Sequence, residues 1–140
     1  MNGRFFLDTN IFVYSFDRSS SGKAQRATQL IRDAVATRKG VVSYQVVQEF
    51  FNVALRRFAH PMTAAEAEQY LGTVFRPLLG VQSSPALYSE ALHLTDKHRL
   101  SWYDSLIVAS AVEAGCSLLY SEDLQSGRRF GDLRIENPFA

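Results

Sequence analysis

Two hydrophobic patterns alternate along this chain: short apolar runs, and longer stretches in which apolar residues recur at helical spacing. The short runs predict buried strands and the longer stretches predict amphipathic helices. The predicted strands cover 5–7, 41–43, 116–120 and 133–135, and the predicted helices cover 11–16, 23–38, 45–58, 63–75, a segment opening at 84–85, and 101–114. Strands that alternate with helices favour an α/β fold whose parallel sheet is covered on both faces.

Composition is typical of a single globular domain. The 140 residues, 46% hydrophobic and 21% charged, suffice for one core, and no linker or repeat divides them. We therefore expect one domain over 1–140. The only cysteine, Cys116, excludes an intramolecular disulfide and a cysteine-based zinc site. The apolar residues near the N-terminus are too few for a signal peptide, and no run is long enough to span a bilayer. We expect a cytoplasmic protein.

Four acidic residues fall at positions that such a fold brings to one edge. They are Asp8, Glu49, Asp104 and Asp123. In open α/β sheets, ligands bind beyond the carboxyl ends of the strands. Asp8 directly follows the first predicted strand, and Asp123 closely follows the strand at 116–120. Glu49 borders the apolar arc of its helix, and Asp104 lies in the first turn of the most apolar helix.

Each acid also has an ordinary structural explanation. Asp8 is a favoured residue for capping a helix N-terminus. Asp123 can hold a turn, and its neighbour Glu122 competes for the same role. Glu49 can pair with a nearby Arg at the helix edge, although Gln45 and Asn52 also make it a candidate ligand with polar neighbours.

The position of Asp104 needs more than an ordinary explanation. Its helical neighbours Ile107, Val108 and Ala111 are apolar, and an acid in an apolar stripe is costly unless its charge is compensated. The segment from Ser101 to Asp104 resembles a capping box, in which a first-turn acid favours the helix dipole. That explanation accounts for one acid and not for the joint placement of all four.

Clustered carboxylates repel one another, so bringing them together requires a cation. Hard ions such as Mg²⁺ or Mn²⁺ prefer oxygen ligands, and pockets of this kind act on phosphate esters. The net charge of +1 hides an uneven distribution, because without these four acids ten remain against 15 bases. A negative site in a mildly positive molecule suits a metal ion and a polyanion.

These residues and their surroundings resemble the PIN-domain ribonucleases, and among them the VapC-type toxins of bacterial toxin–antitoxin pairs. The similarity spans nearly the whole chain and lies in segments 6–11, 46–50, 102–107, 119–125 and 133–139. The resemblance implies a three-layer α/β/α sandwich with a parallel sheet of four to five strands. It also implies a Mg²⁺- or Mn²⁺-dependent endoribonuclease that acts on RNA, a cognate antitoxin protein, and a homodimer.

The resemblance also suggests roles for individual side chains. Asp8 and Asp104 are expected to contact the metal directly, whereas Glu49 and Asp123 are expected to bind it through water, because Mg²⁺ keeps several of its waters. All four are then the catalytic carboxylates of hydrolysis. Three hydroxyl and amide side chains are expected to orient the carboxylates or the phosphate. These are Thr9, Asn10 and Ser121.

Other functions stay open from the sequence. A metal-dependent phosphatase or a DNA nuclease would need the same carboxylates, and a non-catalytic RNA- or protein-binding module could share the fold. The aromatic residues of the helices over 44–75 either form a dimer surface or pack in the core.

Overall fold

The computed structural model describes residues 3–140, and the first two residues of the expected domain lie outside the described part. The strands are β1 (Phe5–Leu7), β2 (Gly40–Ser43), β3 (Leu79–Val81), β4 (Leu118–Tyr120), β5 (Arg129–Phe130) and β6 (Leu133–Glu136). The helices are α1 (Thr9–Tyr14), α2 (Ser21–Thr37), α3 (Tyr44–Ala54), α4 (Ala64–Tyr70), α5 (Arg76–Leu78), α6 (Pro85–His98) and α7 (Trp102–Glu113). A π-helical segment, Leu71–Phe75, joins α4 to α5.

The strands form one sheet in the order β3-β2-β1-β4-β6-β5. All neighbouring pairs are parallel except β5 with β6. The sheet is flanked by helices as in an α/β/α sandwich, which confirms the predicted fold class. The sheet has six strands rather than four or five, and its last edge strand is antiparallel.

The order of the strands positions the carboxyl edge of the sheet. From β1 the chain moves outward through β2 to β3, and then returns to place β4 on the other side of β1. Such a reversal leaves a crevice at the carboxyl ends of the two central strands. Asp8 follows β1 and Ser121 follows β4, so both residues lie at this crevice.

One apolar core surrounds the sheet. Apart from the half-buried Phe5, the residues of β1 and β2 are almost fully buried, as are the inner faces of α1 to α3. Most aromatic residues of the helical region from α3 to α5 belong to this core: Phe50 and Phe75 are 0% exposed, and the Phe50 ring stacks on Tyr70 with centroids 5.1 Å apart. Core packing is therefore the main role of these aromatic rings.

Two helices end differently from the prediction. Helix α2 stops at Thr37, one residue before the predicted end at 38, with Arg38 in the left-handed region (φ 60°), and Gly40 belongs to β2. Gly40 is required by packing, because an added Cβ would lie 2.2 Å from the Cβ of Ala34. Helix α3 stops at Ala54, whose carbonyl accepts from the Met62 backbone N–H at 2.9 Å.

Candidate active site

The four predicted acids line one cavity at the carboxyl edge of the sheet. Its volume is about 350 Å³, and it lies beyond β1 and β4, between α1, α3 and the start of α7. Its polar lining consists of Asp8, Thr9, Asn10, Gln45, Glu49, Asn52, Asp104 and Asp123, together with Tyr103. The distant acids of the sequence are therefore neighbours in space.

Asp8 is the most buried acid of the cavity and caps helix α1. It is 6% exposed, and its Oδ1 accepts from the Thr9 backbone N–H at 2.7 Å. Its other oxygen accepts from the Ser121 hydroxyl at 2.8 Å. Burial raises the pKa of Asp8 to about 6, while the bonds from Ser121 and Thr9 act in the opposite direction. The capping role predicted as the ordinary explanation is real, and it coexists with a place in the cavity.

Glu49 reaches the cavity from helix α3 and is held by two donors. The Thr9 hydroxyl donates to Oε1 at 2.6 Å, and the Gln45 side-chain amide donates to Oε2 at 3.3 Å. The same Gln45 nitrogen donates to the backbone carbonyl of Tyr103 at 3.3 Å. Gln45 thus ties α3 to α7, and Glu49 makes no ion pair with an Arg among the described residues.

Asp123, and not its neighbour Glu122, faces the cavity. The side-chain amide of Asn10 donates to Asp123 Oδ2 at 2.9 Å. Glu122 accepts instead from the Tyr14 hydroxyl at 2.5 Å and from Lys23 Nζ at 2.7 Å, outside the cavity. Burial, and then the negative charges of Asp104 and Glu122, raise the pKa of Asp123, with the bond from Asn10 acting against them.

Asp104 stands in the first turn of α7, where Ser101 caps the helix. The Ser101 hydroxyl accepts from the Asp104 backbone N–H at 3.2 Å. This is the first of the two hydrogen bonds that make up the predicted capping box. The Asp104 carboxylate lines the cavity, and its charge is close enough to Asp123 to raise the pKa of that residue. The cap therefore fixes the backbone and leaves the carboxylate to the cavity.

The donor set of the cavity suits a hard divalent ion bound partly through water. In the region 3–140, no three His, Cys, Asp or Glu side chains converge closely enough to hold a metal directly. The acids are spaced around a cavity large enough for hydrated ions, and all their donor atoms are carboxylate oxygens. Keeping Asp8 ionised at neutral pH while buried costs free energy, which a bound cation would offset.

Sequence reasoning missed Tyr103 as part of the site. Its backbone carbonyl accepts from Gln45, and its side chain lines the cavity beside Asp104. An aromatic residue directly before a candidate acid is the signal that the sequence offers. Arg128 and Arg129 follow Asp123 closely in sequence, but neither lines the cavity. The Arg128 guanidinium lies over the Phe130 ring, 5.0 Å from its centroid.

The sequence was compared with models of known protein families and with solved structures. The model of the PIN domain family matches residues 5–129. No curated protein sequence matches the chain significantly. Among the described residues, no helix is long and apolar enough to cross a membrane.

Several solved structures are similar over most of their length. A toxin–antitoxin complex from Klebsiella pneumoniae superposes with a TM-score of 0.66 at 16% identity, covering 95% of this chain and 96% of that one. VapC20 of Mycobacterium tuberculosis, a sarcin-ricin loop cleaving toxin, gives 0.61 at 21% identity, with 85% and 89% covered. VapBC2 from Rickettsia felis, bound to a DNA fragment from its promoter, gives 0.62 at 16% identity, with 95% and 97% covered.

Proposed function

This chain belongs to the PIN-domain family, and from that membership we propose that it is a divalent-metal-dependent endoribonuclease of the VapC toxin type. One observation carries the proposal: Asp8, Glu49, Asp104 and Asp123, four acids far apart in sequence, line a single cavity at the carboxyl edge of the sheet. A similarly folded protein, VapC20, is a toxin that cleaves the sarcin-ricin loop. The proposed substrate is an RNA phosphodiester in a single-stranded or loop region.

Each acid has a defined part in this proposal. Asp8 and Asp104 would hold Mg²⁺ or Mn²⁺ directly, and Glu49 and Asp123 would hold it through water. A divalent ion at such a site supplies an activated water and stabilises the charge that leaves with the departing oxygen. The neighbours Thr9, Asn10 and Ser121 orient the carboxylates. They donate to Glu49, Asp123 and Asp8, respectively, at 2.6, 2.9 and 2.8 Å.

The proposal includes partners. Two of the similar structures are a toxin–antitoxin complex and VapBC2 bound to promoter DNA. We propose that this chain, as one PIN domain over 1–140, forms a homodimer and is inhibited by a cognate antitoxin encoded beside it. Light scattering after size exclusion measures the dimer. Co-purification with the product of the adjacent small gene, together with loss of cleavage in that complex, tests the antitoxin.

The decisive variant is Asp8→Asn. Asn also caps helices well: its side-chain oxygen can still accept from the Thr9 backbone N–H, and its amide nitrogen can donate to the Ser121 hydroxyl. The fold is therefore kept while the negative charge is lost. We expect cleavage of single-stranded RNA in Mg²⁺ or Mn²⁺ to fall by at least a hundredfold, and induced expression to stop inhibiting growth. Asp96→Asn is the matched control, because Asp96 is an exposed acid of α6 outside the cavity.

The substrates of the assay separate the competing activities. The wild-type protein should cleave RNA, and neither single-stranded DNA nor a small phosphate monoester should be hydrolysed at a comparable rate. Equal cleavage and equal growth inhibition by wild type and Asp8→Asn would overturn the catalytic proposal. RNA binding without cleavage by either protein would identify a non-catalytic binding module.

A further inference from the structure

A second cavity adjoins the carboxylate cavity. It has a volume of about 210 Å³ and lies where β2 ends, between the start of α3 and helices α6 and α7. Gln45 and Tyr103 line both cavities, so the two spaces share a wall. Because the two cavities are neighbours, a polymer bound in the carboxylate cavity can extend into the second one.

Aromatic side chains surround this second cavity. Tyr44, Tyr88 and Tyr103 are 47%, 42% and 62% exposed, and they are three of the four strongly exposed aromatic residues in the part of the chain that the structure describes. Trp102 completes the set, and its ring lies 5.8 Å from that of Tyr88. Aromatic faces left open to solvent around one cavity are suited to stacking on a planar ligand.

The polar groups of the cavity lack charge but offer donors and acceptors. The Ser43 side chain is 3% exposed, and its hydroxyl oxygen has no hydrogen-bond partner. Gln48 and Gln82 add two side-chain amides, and the lining contains no Asp, Glu, Lys, Arg or His. A buried hydroxyl without a partner costs free energy, so its presence beside a cavity points to a polar ligand group.

We propose that this cavity receives one nucleobase of the RNA strand whose scissile phosphate lies in the carboxylate cavity. The inference rests on the proposed function and assigns to it a base-recognition pocket. An uncharged, aromatic-lined cavity next to an acidic one matches the two parts of a nucleotide, because the base is planar and neutral and the phosphate is the part that needs cations. The volume lies below the range of about 300–1,000 Å³ typical of larger ligands, which suits a single ring system.

The unpartnered hydroxyl distinguishes a base from a protein side chain. An apolar anchor residue of a partner protein would fill the cavity but leave the Ser43 hydroxyl buried and unpaired. The edge of a base presents donors and acceptors in one plane, which can pair with Ser43 and with the amides of Gln48 or Gln82. Discrimination among the four bases then follows from which of these groups find a partner.

Trp102 allows occupancy to be measured directly, because it is the only tryptophan of the chain. The Asp104→Asn protein is titrated with each of the four nucleoside 5′-monophosphates and with short single-stranded RNAs, and tryptophan fluorescence is followed. We expect quenching with a clear preference for one base. Tyr88→Ala in the same background should weaken that binding about tenfold or more through lost stacking. Leu92→Ala, an exposed change on the same helix outside the cavity, should leave it unchanged.

Cleavage provides the second readout. The otherwise unaltered enzyme is incubated with single-stranded RNA of randomised sequence, and the new ends are sequenced. We expect a strong preference at one position beside the cut, lost in Tyr88→Ala and kept in Leu92→Ala. Ser43→Ala should change the order of base preference without lowering the melting temperature, since it removes a hydroxyl that has no partner in the free protein.

The two readouts separate this inference from the proposed function. RNA cleavage with no base preference, together with no quenching by any nucleotide or RNA, would overturn the base pocket and leave the nuclease proposal intact. Base-selective quenching that depends on Tyr88, in a wild-type protein that cleaves no RNA, would support the pocket and overturn the nuclease.

Discussion

Asp8 combines a helix-capping role with a place in the carboxylate cavity. It directly follows β1, one of the two central strands, caps α1 through Thr9, and accepts from the hydroxyl of Ser121 inside the cavity. Its N-cap role was readable from sequence, because Asp before a helix is common. The burial of its carboxylate was not readable from sequence, because the contact with Ser121 joins residues that lie 113 positions apart along the chain. The N-terminal cap of α1 and the carboxylate cavity therefore use the same Asp8 side chain.

The bond from Ser121 to Asp8 can be tested by a pair of substitutions. Ser121→Ala removes the donor and leaves a buried carboxylate oxygen unsatisfied, so the free energy of unfolding should fall by about 1–3 kcal/mol. The pKa of Asp8 should rise further, because this hydrogen bond lowers it. Ser121→Thr keeps the hydroxyl and should stay close to wild type. Urea denaturation measures the difference, and equal stability of both variants would refute the role given to this bond.

Cys116 provides a test of pH dependence away from the site. Burial raises the pKa of its thiol from 9.0 to about 11. Because only the thiolate reacts, alkylation of the native protein near pH 8 should be about a hundredfold slower than in the urea-unfolded chain. The free energy of unfolding should also decrease as pH rises from 9 towards 11, because the unfolded chain loses the proton first. Cys116→Ala is the control, and alkylation of the native thiol at the unfolded rate would contradict this assignment.

At the scale of elements, hydrophobic periodicity located the long helices and the buried strands. It missed β3 and β5, because three residues containing Gly80 and two residues beginning with Arg129 carry no readable alternation. Their pairing depends on neighbours that only the folded sheet supplies. The end of α3 was predicted too late for the same kind of reason, since Ala54 bonds to Met62 and that partner lies beyond the helix.

The contact between α2 and β2 should be intolerant of one methyl group. In Gly40→Ala the new Cβ would meet the Cβ of Ala34 at 2.2 Å, so α2 must shift. Overpacking of this kind costs about 1–3 kcal/mol in the free energy of unfolding. Gly72→Ala is the matched control, because nothing lies within 4 Å of its added Cβ. Denaturant unfolding should show loss at the first position and none at the second, and equal effects would refute this packing argument.

At the scale of the whole molecule, the clustering of the four acids could be predicted from sequence, because in an α/β sheet the carboxyl ends of parallel strands meet at one edge. The choice between Glu122 and Asp123 followed from the pattern of the resemblance, and in the structure Asp123 lines the cavity while Glu122 pairs with Lys23. The second cavity was not predictable. Its lining comes from the loop after β3 as well as from α3, α6 and α7, and β3 itself was missed.

Metal binding should be visible in the stability of the entire domain. An ion that binds only the folded state adds about 2.7 kcal/mol when its concentration is a hundredfold above the dissociation constant. We expect Mg²⁺ or Mn²⁺ to raise the melting temperature of the wild-type protein, and a chelator to reverse the shift and abolish cleavage. The double variant Asp8→Asn, Asp104→Asn should show no shift. A shift of equal size in this variant would place the ion elsewhere.

Strand β1 precedes the other strands of the sheet along the chain, yet it is one of the two central strands. Strand β1 pairs with β2 early, but its other neighbour, β4, is translated more than a hundred residues later. Ser121 and Asp123 follow β4 and leave the ribosome later still. A nascent chain therefore has an incomplete cavity until β4 and the residues that follow it have been made. The ribosome and messenger RNA that produce this protein meet no complete carboxylate cavity before that point.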